Sequence, residues 1–316
     1  MYKTMLVPLD GSKLAEVVFP YARGFAANLD LEIVFLHVSS PSEKDLAPMH
    51  WAYVERAAAL VAHEARQVRK RNGGTALATR ITARGEVVSG DAAEEIIKYA
   101  EKNSIDLIMM ATHGRTGMTR WILGSVADKA LRSAKTPIWL VRAWGPSEAV
   151  YDEWPKKTII VPLDGSKFAE AALSHAEELA KQGGGSSVEV VLINVCHPPE
   201  LLSMAEYYWT PETYPPTRPL KWEDYVEQQE EKCREAGRQY LAEAGARLQR
   251  AGVTARWEVL SGSPAEAIVD YANAAPFSLV VMTTHGRSGI TRWAFGSVAG
   301  KVLRGVSTPL LLVRPG

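Results

Sequence analysis

The chain has 316 residues, 36 basic and 36 acidic side chains, and a formal net charge of zero. Hydrophobic content of 47% and charged content of 23% exclude a disordered chain, and the balanced charge excludes a protein that binds nucleic acid over its whole surface. At about 150 residues per domain the length suits two domains, each able to bury a core.

Along the chain, Pro8 and Asp10 arrive before an apolar leader segment can form. Residues 4–8 are a short apolar run closed by a turn, which reads as a buried strand. Apolar residues at helical spacing follow over 13–28; 31–38 reads as a strand and 51–71 as a long Ala-rich amphipathic helix. The pattern continues with a strand at 76–85, a helix at 91–103, a strand at 107–111, a helix at 125–133 and a strand at 138–142. Residues 143–156, with proline and mixed charge, read as a linker. The same order then returns at 159–162, 167–182, 188–195, 222–251, 255–261, 264–274, 279–283, 297–304 and 310–314. The apolar runs at 107–111 and 279–282 are too short to span a bilayer. The two cysteines, Cys196 and Cys233, offer no disulfide framework and no zinc-ligand spacing, which fits a reducing cytosol.

The repetition is literal in places. MLVPLDGSKLAE near the N-terminus returns as IIVPLDGSKFAE, and THGRTGMTRWILGSVADKALRSAKTPIWLVR returns as THGRSGITRWAFGSVAGKVLRGVSTPLLLVR. Units this long are a duplicated domain rather than a solenoid, whose repeats run to about 20–50 residues. The expected domains are 1–146 and 156–316, each with five strands alternating with four helices. That alternation implies an α/β fold: a parallel sheet covered by helices on both faces.

In open α/β sheets ligands bind outside the carboxyl ends of the strands, where strand order reverses. Two loops there carry chemistry. The first is Pro8-Leu9-Asp10-Gly11-Ser12. Its carboxylate can accept hydrogen bonds from ribose hydroxyls and its glycine permits a tight turn; equally, Asp10 and Ser12 can cap the next helix. The second runs through His113, Gly114, Arg115 and Gly117 to Gly124-Ser125, which opens a helix. Backbone N–H groups at a helix start favour phosphate and Arg115 can pair with it, although Gly-Ser is also an ordinary helix start. The spacing excludes a dinucleotide GxGxxG after the first strand and a GxxxxGK[ST] loop anywhere; 183–187 (GGGSS) lacks the lysine. A single aspartate after the first strand disfavours a phosphorylated receiver domain.

At these residues the sequence resembles the universal stress protein family, in its tandem two-domain form, over nearly the whole chain. The family's nucleotide pattern, G-x2-G-x9-G-[ST], falls on Ala111, Gly114, Gly124 and Ser125, and again on Thr283, Gly286, Gly296 and Ser297. The first glycine is replaced in both halves; a threonine costs more than an alanine if that position needs positive φ, which ranks the first half as the better site. The resemblance implies two flavodoxin-like (adenine nucleotide alpha hydrolase-like) domains of strand order 3-2-1-4-5 that bind ATP, with or without Mg. It implies that Asp10 holds the ribose, that Pro8 and Val38 lie near the adenine, and that Gly114, Arg115, Gly124, Ser125 and Val126 surround the phosphates. The second-half counterparts are Asp164, Pro162, Val195, Gly286, Arg287, Gly296, Ser297 and Val298. It also implies pairing of the halves through their last strands, 137–142 and 309–314, as a dimer within one chain that can pair again as a homo-oligomer.

The expected function is therefore a cytoplasmic ATP-binding stress or regulatory protein, with no nucleic-acid or membrane partner. The alternatives are a slow ATP hydrolase, for which no dedicated base and metal clamp is evident, and a scaffold acting through protein contacts alone. His113 and His285 lack companions at metal-ligand spacing. Arg120-Trp121 and Arg292-Trp293 suit either a docking patch or loop cover. Residues 198–221, rich in Tyr, Trp and Pro, suit a lid, an oligomer contact or a variable surface loop, and the charge-rich helix after them suits a solvated face.

Overall fold

The structure is a computed structural model and describes residues 2–29, 31–71, 81–112, 123–142, 157–183, 188–197, 222–275, 277–284 and 295–314. In the first half the strands are β1 (Thr4–Pro8), β2 (Glu32–Ser39), β3 (Thr82–Ser89), β4 (Leu107–Ala111) and β5 (Ile138–Val141). In the second they are β6 (Thr158–Pro162), β7 (Glu189–Cys196), β8 (Thr254–Ser261), β9 (Ser278–Thr283) and β10 (Leu310–Val313). All ten join one sheet in the order β3-β2-β1-β4-β5-β10-β9-β6-β7-β8. Each half is thus 3-2-1-4-5, with its strand order reversing between β1 and β4 or between β6 and β9. Within each half the strands pair in parallel; β5 and β10 pair antiparallel, with Trp139 opposite Leu311. The last strands therefore cover each other's edge, which would otherwise offer unpaired backbone groups.

The helices are α1 (Phe19–Asn28), α2 (Ala47–Arg71), α3 (Ala92–Lys102), α4 (Ser125–Ser133), α5 (Lys167–Gln182), α6 (Trp222–Arg250), α7 (Pro264–Ala274) and α8 (Ser297–Gly305). Strand side chains alternate between faces, so Met5 and Val7 join one core while Leu6 joins the other. α1, α2, α5 and α6 cover the first face, where Phe25 meets Trp139 edge-on with ring centroids 5.0 Å apart. α3, α4, α7 and α8 cover the second. Both cores run through the β5·β10 seam. Two arginines reinforce it: Arg142 donates to the Leu303 carbonyl at the end of α8, and Arg314 donates to the Arg132 and Ser133 carbonyls at the end of α4. Each half supplies a cation to the negative end of the other's helix.

Several boundaries differ from expectation. The helix expected over 13–28 is a 3-10 turn, Ala15–Val18, followed by α1, with Pro20 in the first turn where its missing N–H costs nothing. α2 starts before Trp51 and is preceded by a 3-10 turn, Pro41–Leu46, closed by a Ser40–Glu43 capping box. The third strand is not 76–85 but Thr82–Ser89, in register with β2 from Glu32↔Thr82 to Ser39↔Ser89. Gly85, read as its end, sits mid-strand because α2 crosses there: a Cβ would stand 2.6 Å from Val54 Cγ2. The cysteines also need correction. Cys196 ends β7 and Cys233 lies on α6, and the two form a disulfide, Cα–Cα 5.9 Å, across a sequence separation of 37. The long helix returns along β7, so residues far apart in the chain meet. Among the described residues no helix is long and apolar enough to cross a membrane.

Candidate functional site

The first loop is built the same way in both halves. Gly11 and Gly165 take φ of 82° and 84°, the left-handed region that glycine adopts freely. The Ser12 and Ser166 N–H groups donate to Asp10 Oδ1 and Asp164 Oδ1, each at 2.9 Å. The serine hydroxyls accept from the Ala15 and Ala169 N–H groups, each at 3.1 Å. Capping is thus the work of the serines, and the turn aims both aspartates into a cleft. The loop is also held from β2 in the first half and from β7 in the second, by contacts that sequence reasoning missed. His37 Nδ1 donates to the Leu9 carbonyl at 2.9 Å, and Asn194 Nδ2 donates to the Leu163 carbonyl at 2.8 Å. A detectable signal existed: the residue before Val38 and before Val195 carries a side-chain N–H in both halves.

Across the strand-order reversal, Gly124 N–H donates to the Thr112 carbonyl at 2.8 Å and Gly296 N–H to the Thr284 carbonyl at 2.9 Å. These bonds close the base of each second loop and set Ser125 and Ser297 as first residues of α4 and α8. Among the described residues neither helix has a side-chain N-cap bond, and their first residues line the clefts, so each helix start brings its positive partial charge there. The two starts differ in charge. α4 carries Asp128 in its first turn, tied to Arg132 at 2.8 and 3.0 Å; in α8 the same place is Gly300, and no acid stands in the first turn.

Ala111 and Thr283 end β4 and β9, and neither has positive φ. A threonine there carries no backbone strain, so the reason for ranking the first half above the second falls away. Gly114, Arg115, Gly286 and Arg287 lie outside the described residues, as do His113, His285, Arg120, Trp121, Arg292, Trp293 and 198–221.

The described candidates converge. Pro8, Asp10, Val38, Gly124, Ser125 and Val126 line one cleft of about 250 Å³. Pro162, Asp164, Val195, Gly296, Ser297 and Val298 line another of about 430 Å³. The walls that sequence reasoning missed come from the helix after the third strand: Ala92 and Ile96 of α3, Pro264 and Ile268 of α7. His197 and Cys233 line the second cleft as well. Each cleft therefore presents a carboxylate, an apolar wall and a helix N-terminus, a donor set that fits a nucleoside phosphate. Among the described residues no group of three His, Cys, Asp or Glu is placed to hold a metal.

Comparison with known proteins agrees with this architecture. The model of the universal stress protein family matches residues 1–142 and again 156–314. A universal stress protein of Methanocaldococcus jannaschii is 30% identical over 142 residues, covering 45% of this chain and 83% of its own. One from Mycolicibacterium smegmatis is 27% identical over 316 residues, covering 98% of this chain and 97% of its own. The crystal structure of a universal stress protein from Archaeoglobus fulgidus shares the fold, with a TM-score of 0.63 at 21% identity over 99% of this chain and 98% of its own. Two family matches on two clefted halves of one sheet mean that the chain belongs to the universal stress protein family, as a tandem two-domain member.

Proposed function

We propose that the chain is a cytoplasmic ATP-binding regulatory protein of the stress response, with nucleotide held in the clefts between β1 and β4 and between β6 and β9. The observation that carries this reading is the convergence, in each half, of the Asp-Gly-Ser turn and a Gly-Ser helix start on one cleft. Asp10 and Asp164 accept from the ribose hydroxyls. Pro8 with Val38, and Pro162 with Val195, flank the adenine. The N–H groups opening α4 and α8 receive the phosphates, joined by Gly114, Arg115, Gly286 and Arg287 in the family's pattern. Magnesium travels with the phosphates, because the described residues make no cluster of their own for it. The larger second cleft and the absence of an acid in the first turn of α8 favour phosphate there. Bound nucleotide acts by favouring one conformation or partner over another, with no turnover required.

The test is to purify the chain without added nucleotide, denature it, and identify what is released by mass spectrometry. ATP near one or two equivalents is expected. Gly124→Val and Gly296→Val, which crowd the two helix starts, should each abolish binding in one cleft. No released nucleotide, and no ATP binding by calorimetry with magnesium, would overturn the reading. Incubation of the bound form separates a binding protein from a slow hydrolase by whether ADP accumulates.

A further inference from the structure

We propose that Cys196 and Cys233 are a reversible dithiol–disulfide switch that sets the nucleotide affinity of the second cleft and leaves the first unchanged. The inference rests on the nucleotide reading above and adds its regulation. Cys196 is fully buried and directly follows Val195 of the cleft wall, while Cys233 is half-buried and itself lines the cleft. Their bond ties α6 to the end of β7 at the cleft rim.

The device belongs to one half alone. Ser39 ends β2 at the register position where Cys196 ends β7. The helices align through equivalent contacts, Tyr53 hydroxyl to Glu16 and Tyr240 hydroxyl to Glu170, which puts Leu46 where Cys233 stands. α2 begins just after Leu46, whereas α6 begins well before Cys233. The first cleft is therefore a control built into the same chain.

Without the disulfide, polar contacts at the surface hold this rim. Arg234 donates to Ser261 Oγ at 2.9 Å and to Glu230 Oε1 at 2.7 Å, and the Ser261 hydroxyl donates to Glu230 at 2.8 Å. Solvated contacts of this kind contribute little. In the dithiol form, nucleotide binding must order the rim; in the disulfide form that ordering is already done, and preorganisation appears as affinity.

The chemistry needs only a small-molecule disulfide, RSSR. The thiolate of Cys233, the accessible partner, attacks one sulfur of RSSR, forming a mixed disulfide and releasing one RS⁻. The Cys196 thiolate then attacks the Cys233 sulfur and releases the second. The protein loses two electrons and two protons; RSSR becomes two RSH. Two equivalents of RSH run the reaction backwards.

The test is calorimetry of ATP with magnesium on the full chain, oxidised with glutathione disulfide or reduced with dithiothreitol. With Gly124→Val closing the first cleft, the oxidised protein should bind about tenfold more tightly than the reduced protein, the size of effect that ordering roughly one residue produces. With Gly296→Val closing the second, affinity should be the same in both states. Cys233→Ser in the otherwise native chain keeps the inference testable if either glycine variant fails to fold: both of its sites should match those of the reduced native protein and ignore the oxidant. Clear ATP binding with no redox dependence at the second cleft overturns the switch and leaves the nucleotide reading standing. Complete alkylation of both cysteines by iodoacetamide after oxidation also overturns it. No ATP binding in either state overturns both readings together.

Discussion

At the scale of single residues, the proposed nucleotide reading assigns its ribose selectivity to the two aspartates. One oxygen of each is engaged by the following serine N–H, which fixes the plane of the carboxylate before ligand arrives. Asp10→Ala and Asp164→Ala should each weaken ATP at their own cleft by about tenfold to a hundredfold, the range for a hydrogen bond to a charged acceptor. Calorimetry with ATP and 2′,3′-dideoxy-ATP checks this: the substitutions should matter much less for the analogue without hydroxyls, and equal losses for both ligands would move the aspartates off the ribose. Asp10, Gly11 and Ser12 were legible in the sequence because a turn leaving a strand needs a glycine at positive φ and a helix needs a cap. His37 was missed, since its partner is a main-chain carbonyl 28 residues away and the only hint was the matching Asn194 in the repeat. The second half indicates how it should behave. His37→Leu leaves the buried Leu9 carbonyl without this donor and should destabilise the chain by about 1–3 kcal/mol. His37→Asn, which copies Asn194, should recover most of that loss in a urea titration; no difference between the two variants would show that the donor is irrelevant.

At the scale of elements, the halves solve one packing problem in opposite ways. On β3 a glycine admits α2: a Cβ on Gly85 would lie 2.6 Å from Val54 Cγ2 and 2.9 Å from the Glu55 nitrogen. On β8 the equivalent residue is Trp257, and the small residue has moved to the helix, where a Cβ on Gly245 would lie 2.5 Å from the ring. Gly85→Ala should therefore cost about 1–3 kcal/mol, because the obstruction includes backbone that cannot swing aside. Gly245→Ala should cost less. Trp257 is 37% exposed and can turn outward, and alanine recovers about 1 kcal/mol of helix propensity. Equal losses in denaturant midpoint would refute the distinction. The same glycine explains why the third strand was misplaced in the sequence reading: it looks like a turn until the helix crossing above it is known. The strand–helix order, by contrast, was legible throughout because buried parallel strands are short unbroken apolar runs, as in Leu107–Ala111. The cysteine pair was not legible, because the approach of α6 to β7 depends on tertiary packing that carries no local signal.

At the scale of the whole molecule, the β5·β10 seam is supported by a part-buried contact between the residues just before β1 and helix α5. The Tyr2 hydroxyl lies 2.6 Å from His175 Nδ1. Burial, then the charges of Glu178 and Asp106, push the phenol far above its ordinary range, so it stays protonated and donates. Burial holds the His175 imidazole below its ordinary 6.5, so it stays neutral, and in the tautomer protonated at Nε2 its Nδ1 accepts from the hydroxyl. A protonated imidazole would face the hydroxyl with a second donor. The unfolded chain takes up a proton at His175 near pH 6.5, whereas the native protein resists it until lower pH. The unfolded state thus binds more protons in that window, and stability contributed by this contact is complete above about pH 7 and falls as the solution is acidified. Melting temperature should decline from pH 7 towards pH 5. Acidification acts on the whole chain, so the informative quantity is the difference between variants. His175→Gln retains a hydrogen-bond acceptor for Tyr2 and has no proton to gain; its melting temperature should fall less steeply over the same range, and the native and variant curves should converge on the acid side. Parallel curves would mean that His175 takes up its proton equally in both states and that this contact does not make the union of the halves pH-sensitive.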